Sequence, residues 1–243
     1  MKIVIAKDYD EMSAAAAELI AAKVQEKPDA VLSFATGSTP LGLYRKLASF
    51  HKMGLDFSGI RAFHLDEYIG LDPEDPMSYA YYLEENVFTP LEIPREQAFI
   101  HNADPENIEE HARQYDAKIE SEGGIDIQIL GIGENGHIAF LEPSDRLPME
   151  TGQVQLTQET IEVNSRFFDD ASLVPHKAVS LGIRSIFRAR KILLLANGVR
   201  KHDAVQTLIK NPYLDTQFPA SCLLLHKDCT LIVDEAAYSG QDQ

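Results

Sequence analysis

The chain has 243 residues, a length that one α/β domain can fill and at which roughly 70% or more of the unfolded surface is buried on folding. Its 38 acidic and 22 basic residues give a formal net charge of -16, which disfavours nucleic acid and anionic membrane surfaces as partners. An anionic substrate would need the few Arg and Lys residues gathered locally around its site.

The apolar run at the start, Ile3 to Ala6, is far shorter than an export signal, and no run approaches the roughly 18 residues of a membrane-spanning helix. Cys222 and Cys229, each in an apolar neighbourhood, read as reduced core thiols. A cytoplasmic protein is expected.

Short β-branched runs alternate with helix-length segments, the pattern of repeated βαβ units. The expected fold is a three-layer α/β/α architecture with a mostly parallel, Rossmann-like sheet flanked by helices. Strands are predicted at residues 2–6, 30–34, 61–65, 125–130, 178–181, 191–196 and 231–233. After the first strand, Met12, Ala16, Leu19 and Val24 fall near helical spacing, with acids and lysines opposite, and similar helices fit residues 41–50, 107–120 and 199–210. No internal repeat, low-complexity tract or Pro/Gly/Ser linker divides the chain, so residues 1–243 read as one catalytic domain.

In open α/β sheets ligands sit beyond the carboxyl ends of the strands, so the residues that follow each strand are the ones to inspect. After the second strand come Ala35, Thr36, Gly37, Ser38, Thr39 and Pro40, with Thr39 placed as N-cap and Pro40 as first helical residue. A hydroxyl-rich, Gly-containing turn at a helix N-terminus suits a phosphate dianion, although an ordinary capped turn reads about equally well from these residues alone. After the third strand come Leu65, Asp66, Glu67 and Tyr68. Partial burial would raise Asp66 toward the range of a general base; the alternative has Asp66 capping a turn and Glu67 solvated.

After the central strand the spacing G-x-G-x-x-G appears literally at Gly131, Gly133 and Gly136. Dinucleotide binding would also require a helix straight after the glycines, and Pro143 arrives too soon for one. The glycines read instead as a tight turn that presents His137, with Asn135 and Glu142 able to reach its ring. Histidine suits proton transfer near neutral pH, and a carboxylate can fix its tautomer; a plain hydrogen bond from His137 to backbone is the alternative. His64, Asp66, His137 and Glu142 lack any short zinc spacing, which ranks a metal centre last.

In their order and spacing, the segments at residues 36–40, 65–68 and 131–143 together resemble the glucosamine-6-phosphate deaminase family over nearly the whole chain. The resemblance extends to Arg166 and Lys201, which stand where the family has basic contacts to the substrate phosphate. It implies conversion of glucosamine 6-phosphate and water to fructose 6-phosphate and ammonia, with no metal or organic cofactor. On that likeness His137, tuned by Asn135 and Glu142, opens the sugar ring, and Asp66 moves a proton from C2 to C1. Thr36, Gly37, Ser38, Thr39, Arg166 and Lys201 then hold the phosphate. His64 and Leu141 stand where the family often carries Asn, and Asn135 where some members carry Asp, departures that bear on rate and sugar preference. Gly152, Gln153 and Val154 occupy a region that is basic in activated members, which implies no activation by an amino-sugar phosphate. A 6-phosphogluconolactonase-like hydrolase and a non-catalytic sugar-phosphate sensor are the rival readings. A sensor of this kind would normally carry a DNA-binding helix-turn-helix, for which the chain has no room. The oligomeric state is left open, a homo-oligomer included.

Overall fold

The computed structural model describes residues 1–165, 168, 170 and 174–241. Its centre is a seven-stranded, all-parallel sheet of β1 (Lys2–Ala6), β10 (Cys229–Asp234), β9 (Lys191–Ala196), β6 (Ile127–Gly131), β2 (Val31–Phe34), β3 (Arg61–His64) and β5 (Ala98–Phe99), in that spatial order. Parallel strands covered on both faces read as unbroken apolar runs, which is why β9 and β10 stand out in the sequence and are buried almost throughout.

Helices flank the sheet. α1 (Tyr9–Glu26) and α2 (Leu41–Lys52) pack on each other, and α1 also lies against β10. α4 (Ile108–Ser121) follows β5, α7 (His202–Lys210) follows β9, and α8 (Glu235–Ser239) follows β10. The predicted helix at 199–210 is in fact a tight 3-10 turn, Val199–Lys201, leading into α7. Among the described residues no helix is long and apolar enough to cross a membrane.

The main departure from the sequence reading is a second sheet. The predicted strand at 178–181 is β8 (Lys177–Ser180), and it does not join the central sheet. It pairs antiparallel with β4 (Asp66–Tyr68) on one side and β7 (Gly152–Gln155) on the other. Alternation of apolar residues identifies a strand but carries no information on its partner, and β4 and β7 hold too little apolar sequence to announce themselves. The consequence is that Asp66 opens a strand of its own, opposite Ser180, instead of lying in a loop.

The end of β3 is fixed by Tyr115 of α4. Its buried hydroxyl accepts from the backbone N–H of His64 at 2.8 Å and lies 2.9 Å from the carbonyl oxygen of His64 and 2.8 Å from that of Phe99, to one of which it donates. Tyr115→Phe would leave the His64 N–H buried without a partner and should lower unfolding free energy by about 1–3 kcal/mol. Urea denaturation of the two proteins checks this.

Candidate active site

β6 and β2 are neighbours at the point where the chain departs in opposite directions, from β2 to β3 on one side and from β6 to β9 on the other. The crevice outside such a reversal is where open α/β sheets bind ligands. Here it holds a cavity of about 460 Å³ lined by Thr36, Gly37, Ser38, Thr39, Asp66, Asn135, His137 and Lys201. All three sequence-selected strand ends thus reach one cavity. Arg166 lies outside the described residues.

The loop after β2 turns at Gly37, whose φ of +97° is open to glycine at little cost. Two tyrosines pin its outer side. Tyr82 donates its hydroxyl to the Gly37 carbonyl at 2.6 Å; Tyr9 donates to the Ser38 carbonyl at 3.0 Å and accepts from the Gly42 N–H at 2.7 Å. Thr39 is not the N-cap expected of it. Pro40 occupies that position, and the Thr39 hydroxyl donates instead to Asn197 at 2.7 Å, tying the loop to the end of β9. A side-chain bond across 158 residues outcompetes the local one, which is why the local pattern misled.

Asp66 is 5% exposed. Burial, reinforced by the neighbouring charge of Glu67, holds its carboxyl well above the usual range. Glu67, expected in solvent on the alternative reading, is 2% exposed and accepts three backbone N–H groups, from Tyr68, Tyr79 and Ala80. Burial raises it to about 7 despite those bonds.

No helix follows Gly136. Gly133 donates its N–H to the His137 carbonyl at 2.9 Å, and Gly136 turns at φ +84°. His137 lies with Nδ1 2.8 Å from Asn135 Oδ1 and 3.4 Å from Glu142 Oε2, and Asn135 donates its amide to Glu142 at 3.2 Å. The chain returns from His137 to Glu142 through a turn closed by Leu141 N–H on the Ile138 carbonyl at 3.0 Å, with Ala139 at φ +52°. An L-residue held there costs about 1–2 kcal/mol, strain of the kind that accumulates at functional sites. Burial works to raise Glu142, but hydrogen bonds from His137, Thr160 and Asn135 and the His137 charge outweigh it, leaving Glu142 below its ordinary value.

Several lining residues escaped the sequence reading. Thr160 of α5 (Gln158–Ser165) donates to Glu142 and lines the cavity, and no local motif marks it. Arg200 lines it beside Lys201, facing Glu134 at 3.7 Å; its place next to Lys201 was the available signal. Tyr68, Tyr79 and Phe140 form an aromatic wall. His64 and Leu141, both fully buried, do not line the cavity. Among the described residues no three His, Cys, Asp or Glu side chains converge as a metal site requires.

Comparison with known proteins places this geometry. A glucosamine-6-phosphate deaminase of Thermoanaerobacter sp. (strain X514) is 48% identical over 240 residues, covering 98% of this chain and 94% of that one. A solved structure of a monomeric glucosamine-6-phosphate deaminase superposes with a TM-score of 0.95 at 40% identity, covering 99% and 100% of the two chains. The 6-phosphogluconolactonase of Trypanosoma brucei shares the fold alone, with a TM-score of 0.79 at 19% identity and 99% and 98% coverage. The sequence profile of glucosamine-6-phosphate isomerases/6-phosphogluconolactonase matches residues 7–232, and the chain belongs to that family.

Proposed function

We propose that the protein is a glucosamine-6-phosphate deaminase, built as a single catalytic domain, that converts glucosamine 6-phosphate and water to fructose 6-phosphate and ammonia. The observation that carries this reading is one cavity lined both by a buried, proton-avid carboxylate, Asp66, and by a histidine braced by an acid, His137 with Glu142. Lactone hydrolysis has no need of a base that removes a carbon-bound proton, and the deaminase relatives are far nearer in sequence than the lactonases.

In this mechanism the phosphate sits against Thr36, Gly37, Ser38 and Thr39, with Lys201 supplying positive charge. His137 delivers a proton to the ring oxygen, and Glu142 and Asn135 stabilise and orient the imidazole through that transfer. In the open aldehyde Asp66 removes the proton from C2, giving an enolamine across C1 and C2, and returns it to C1. The resulting C2 iminium takes up water and expels ammonia, leaving the ketone. Two groups in different environments thereby divide acid and base work.

Ammonia should be released from glucosamine 6-phosphate and far more slowly from unphosphorylated glucosamine. Equal rates on the two would remove the phosphate loop from the account. Arg200 adds a second cation at the cavity, restrained by Glu134. Arg200→Ala should raise KM for the sugar phosphate about 10-fold with kcat little changed, and Glu134→Gln should lower KM, because the phosphate then faces no competing carboxylate. Steady-state kinetics of both variants test the pair.

A further inference from the structure

No step of the proposed reaction uses Glu67, although it is buried beside the base. Its Oε1 accepts from the N–H of Tyr68 at 2.8 Å and of Tyr79 at 3.0 Å, and its Oε2 from the N–H of Ala80 at 2.8 Å. Tyr79 and Ala80 open α3 (Tyr79–Leu83), which runs on through a π-helical turn, Glu84–Phe88, to a helical stretch still below the length that is stable alone in water. Its first N–H groups have no partner within the helix. Ser78 caps one, on Tyr81, and Glu67 takes the two before it. One carboxylate therefore fastens this helix to β4.

Both other parts of the site touch that helix. Tyr82 donates to the Gly37 carbonyl of the phosphate loop at 2.6 Å. Tyr79 stacks on Phe140 at a ring distance of 5.6 Å and 13° between planes, and Phe140 lies in the turn between His137 and Glu142. The charge of Glu67 also raises Asp66, the residue before it on β4, and among the described residues the one basic side chain within 4.0 Å of Glu67 is a histidine. His64 of β3 brings Nε2 to 4.0 Å, but burial holds that imidazole down to about 3, so it stays neutral. Asp75, in the loop before α3, adds negative charge; Tyr79 is a phenol, and the residue opposite on β8 is Val179.

We infer that Glu67 is a positioning residue: its carboxyl group fixes α3 so that Tyr82 and Tyr79 hold the phosphate loop and the His137 turn in register with Asp66. This rests on the proposed deaminase reaction. Misplacing reacting groups by about 1 Å is enough to cost on the order of 100-fold in rate.

Two variants separate charge from reach. Glu67→Gln loses the charge and sets an amide N–H against a backbone N–H; it should raise KM for glucosamine 6-phosphate about 10-fold and move the acid limb of kcat/KM to lower pH. Glu67→Asp keeps the charge but falls short of α3, so KM should rise while the acid limb stays near that of the wild type. A folded Glu67→Gln protein with wild-type KM and an unmoved limb would overturn the inference. If Glu67→Gln does not fold, Tyr82→Phe decides: it removes one hydroxyl from Gly37 and should raise KM, and an unchanged KM counts against the coupling. The rise in melting temperature on adding inorganic phosphate, smaller in Glu67→Gln and Tyr82→Phe than in the wild type, reads the same coupling without turnover. An equal rise in all three overturns it. Failure of the deaminase reading shows separately, as absence of ammonia from the wild type.

Discussion

Asp66→Asn should bind glucosamine 6-phosphate yet lose proton exchange at C2, with kcat falling about 10²- to 10⁴-fold, the range a positioned general base contributes. Asparagine fills the same volume and keeps β4 opposite Ser180, so the loss would belong to the proton and not to the fold. The pH dependence carries the same signature. Asp66 is raised by burial and by Glu67, and a base works only when deprotonated, so kcat/KM should fall on the acid side at a pH well above the ordinary carboxylate range. Stability should run the other way. A carboxyl whose folded pKa is raised contributes stability fully present below its unfolded pKa and lost as pH rises through the folded one, so by neutral pH the carboxyl of Asp66 weighs against the fold. Asp66→Asn should therefore melt at a higher temperature than the wild type near neutral pH, and the gain should shrink toward pH 4. Hydrogen exchange at C2 followed by NMR, steady-state kinetics across pH and thermal melts across pH measure these effects. Normal C2 exchange in the folded variant would take the base role away from Asp66.

Gly133→Ala is the second large effect, and it acts through geometry. A Cβ at residue 133 would stand 2.3 Å from Nδ1 and Cε1 of His137, closer than any real contact, so the imidazole must leave Asn135 and Glu142. A displacement of about 1 Å at a proton-transferring group costs on the order of 100-fold, and kcat should drop by that factor while phosphate binding persists. The backbone at Gly133 lies outside the left-handed region, which limits the damage to the ring itself. Gly136→Ala would combine φ +84° with a Cβ 2.1 Å from Phe218 and should mainly destabilise the protein. Turnover and melting temperature measured together distinguish the two: Gly133→Ala should lose the first, Gly136→Ala the second. A Gly133→Ala enzyme with wild-type kcat would show that His137 need not stay where Asn135 and Glu142 hold it.

The glycines also illustrate what the sequence could convey. G-x-G-x-x-G is a motif by spacing, and its meaning here comes from what each position meets: an imidazole at Gly133, a left-handed turn and Phe218 at Gly136, and nothing within 4 Å at Gly131. The central sheet was legible because strands buried on both faces are rich in apolar residues, most of all the Ile-Leu-Leu-Leu-Ala run of β9 and the Leu-Ile-Val run of β10. The small sheet was not, since β4 begins with two acids and β7 reads Gly-Gln-Val-Gln. That Asp66, His137 and residues 36–39 line one cavity was legible because this topology gathers the ends of neighbouring strands. The places of Thr160 and Arg200 and the hydrogen bonds from Tyr79 and Ala80 to Glu67 depend on which distant elements meet, and no local spacing encodes that. Thr39 shows the converse: its sequence neighbours specify a cap, and its partner Asn197 lies on another strand end.

In the proposed reaction this cavity performs deamination through a 1,2 proton shift. NMR of the purified protein with glucosamine 6-phosphate, and in a parallel sample with 6-phosphogluconolactone, tests it directly. One ammonium ion should appear for each fructose 6-phosphate formed, with no acceleration of lactone hydrolysis. A folded protein that hydrolyses the lactone and releases no ammonium from the amino sugar would contradict it.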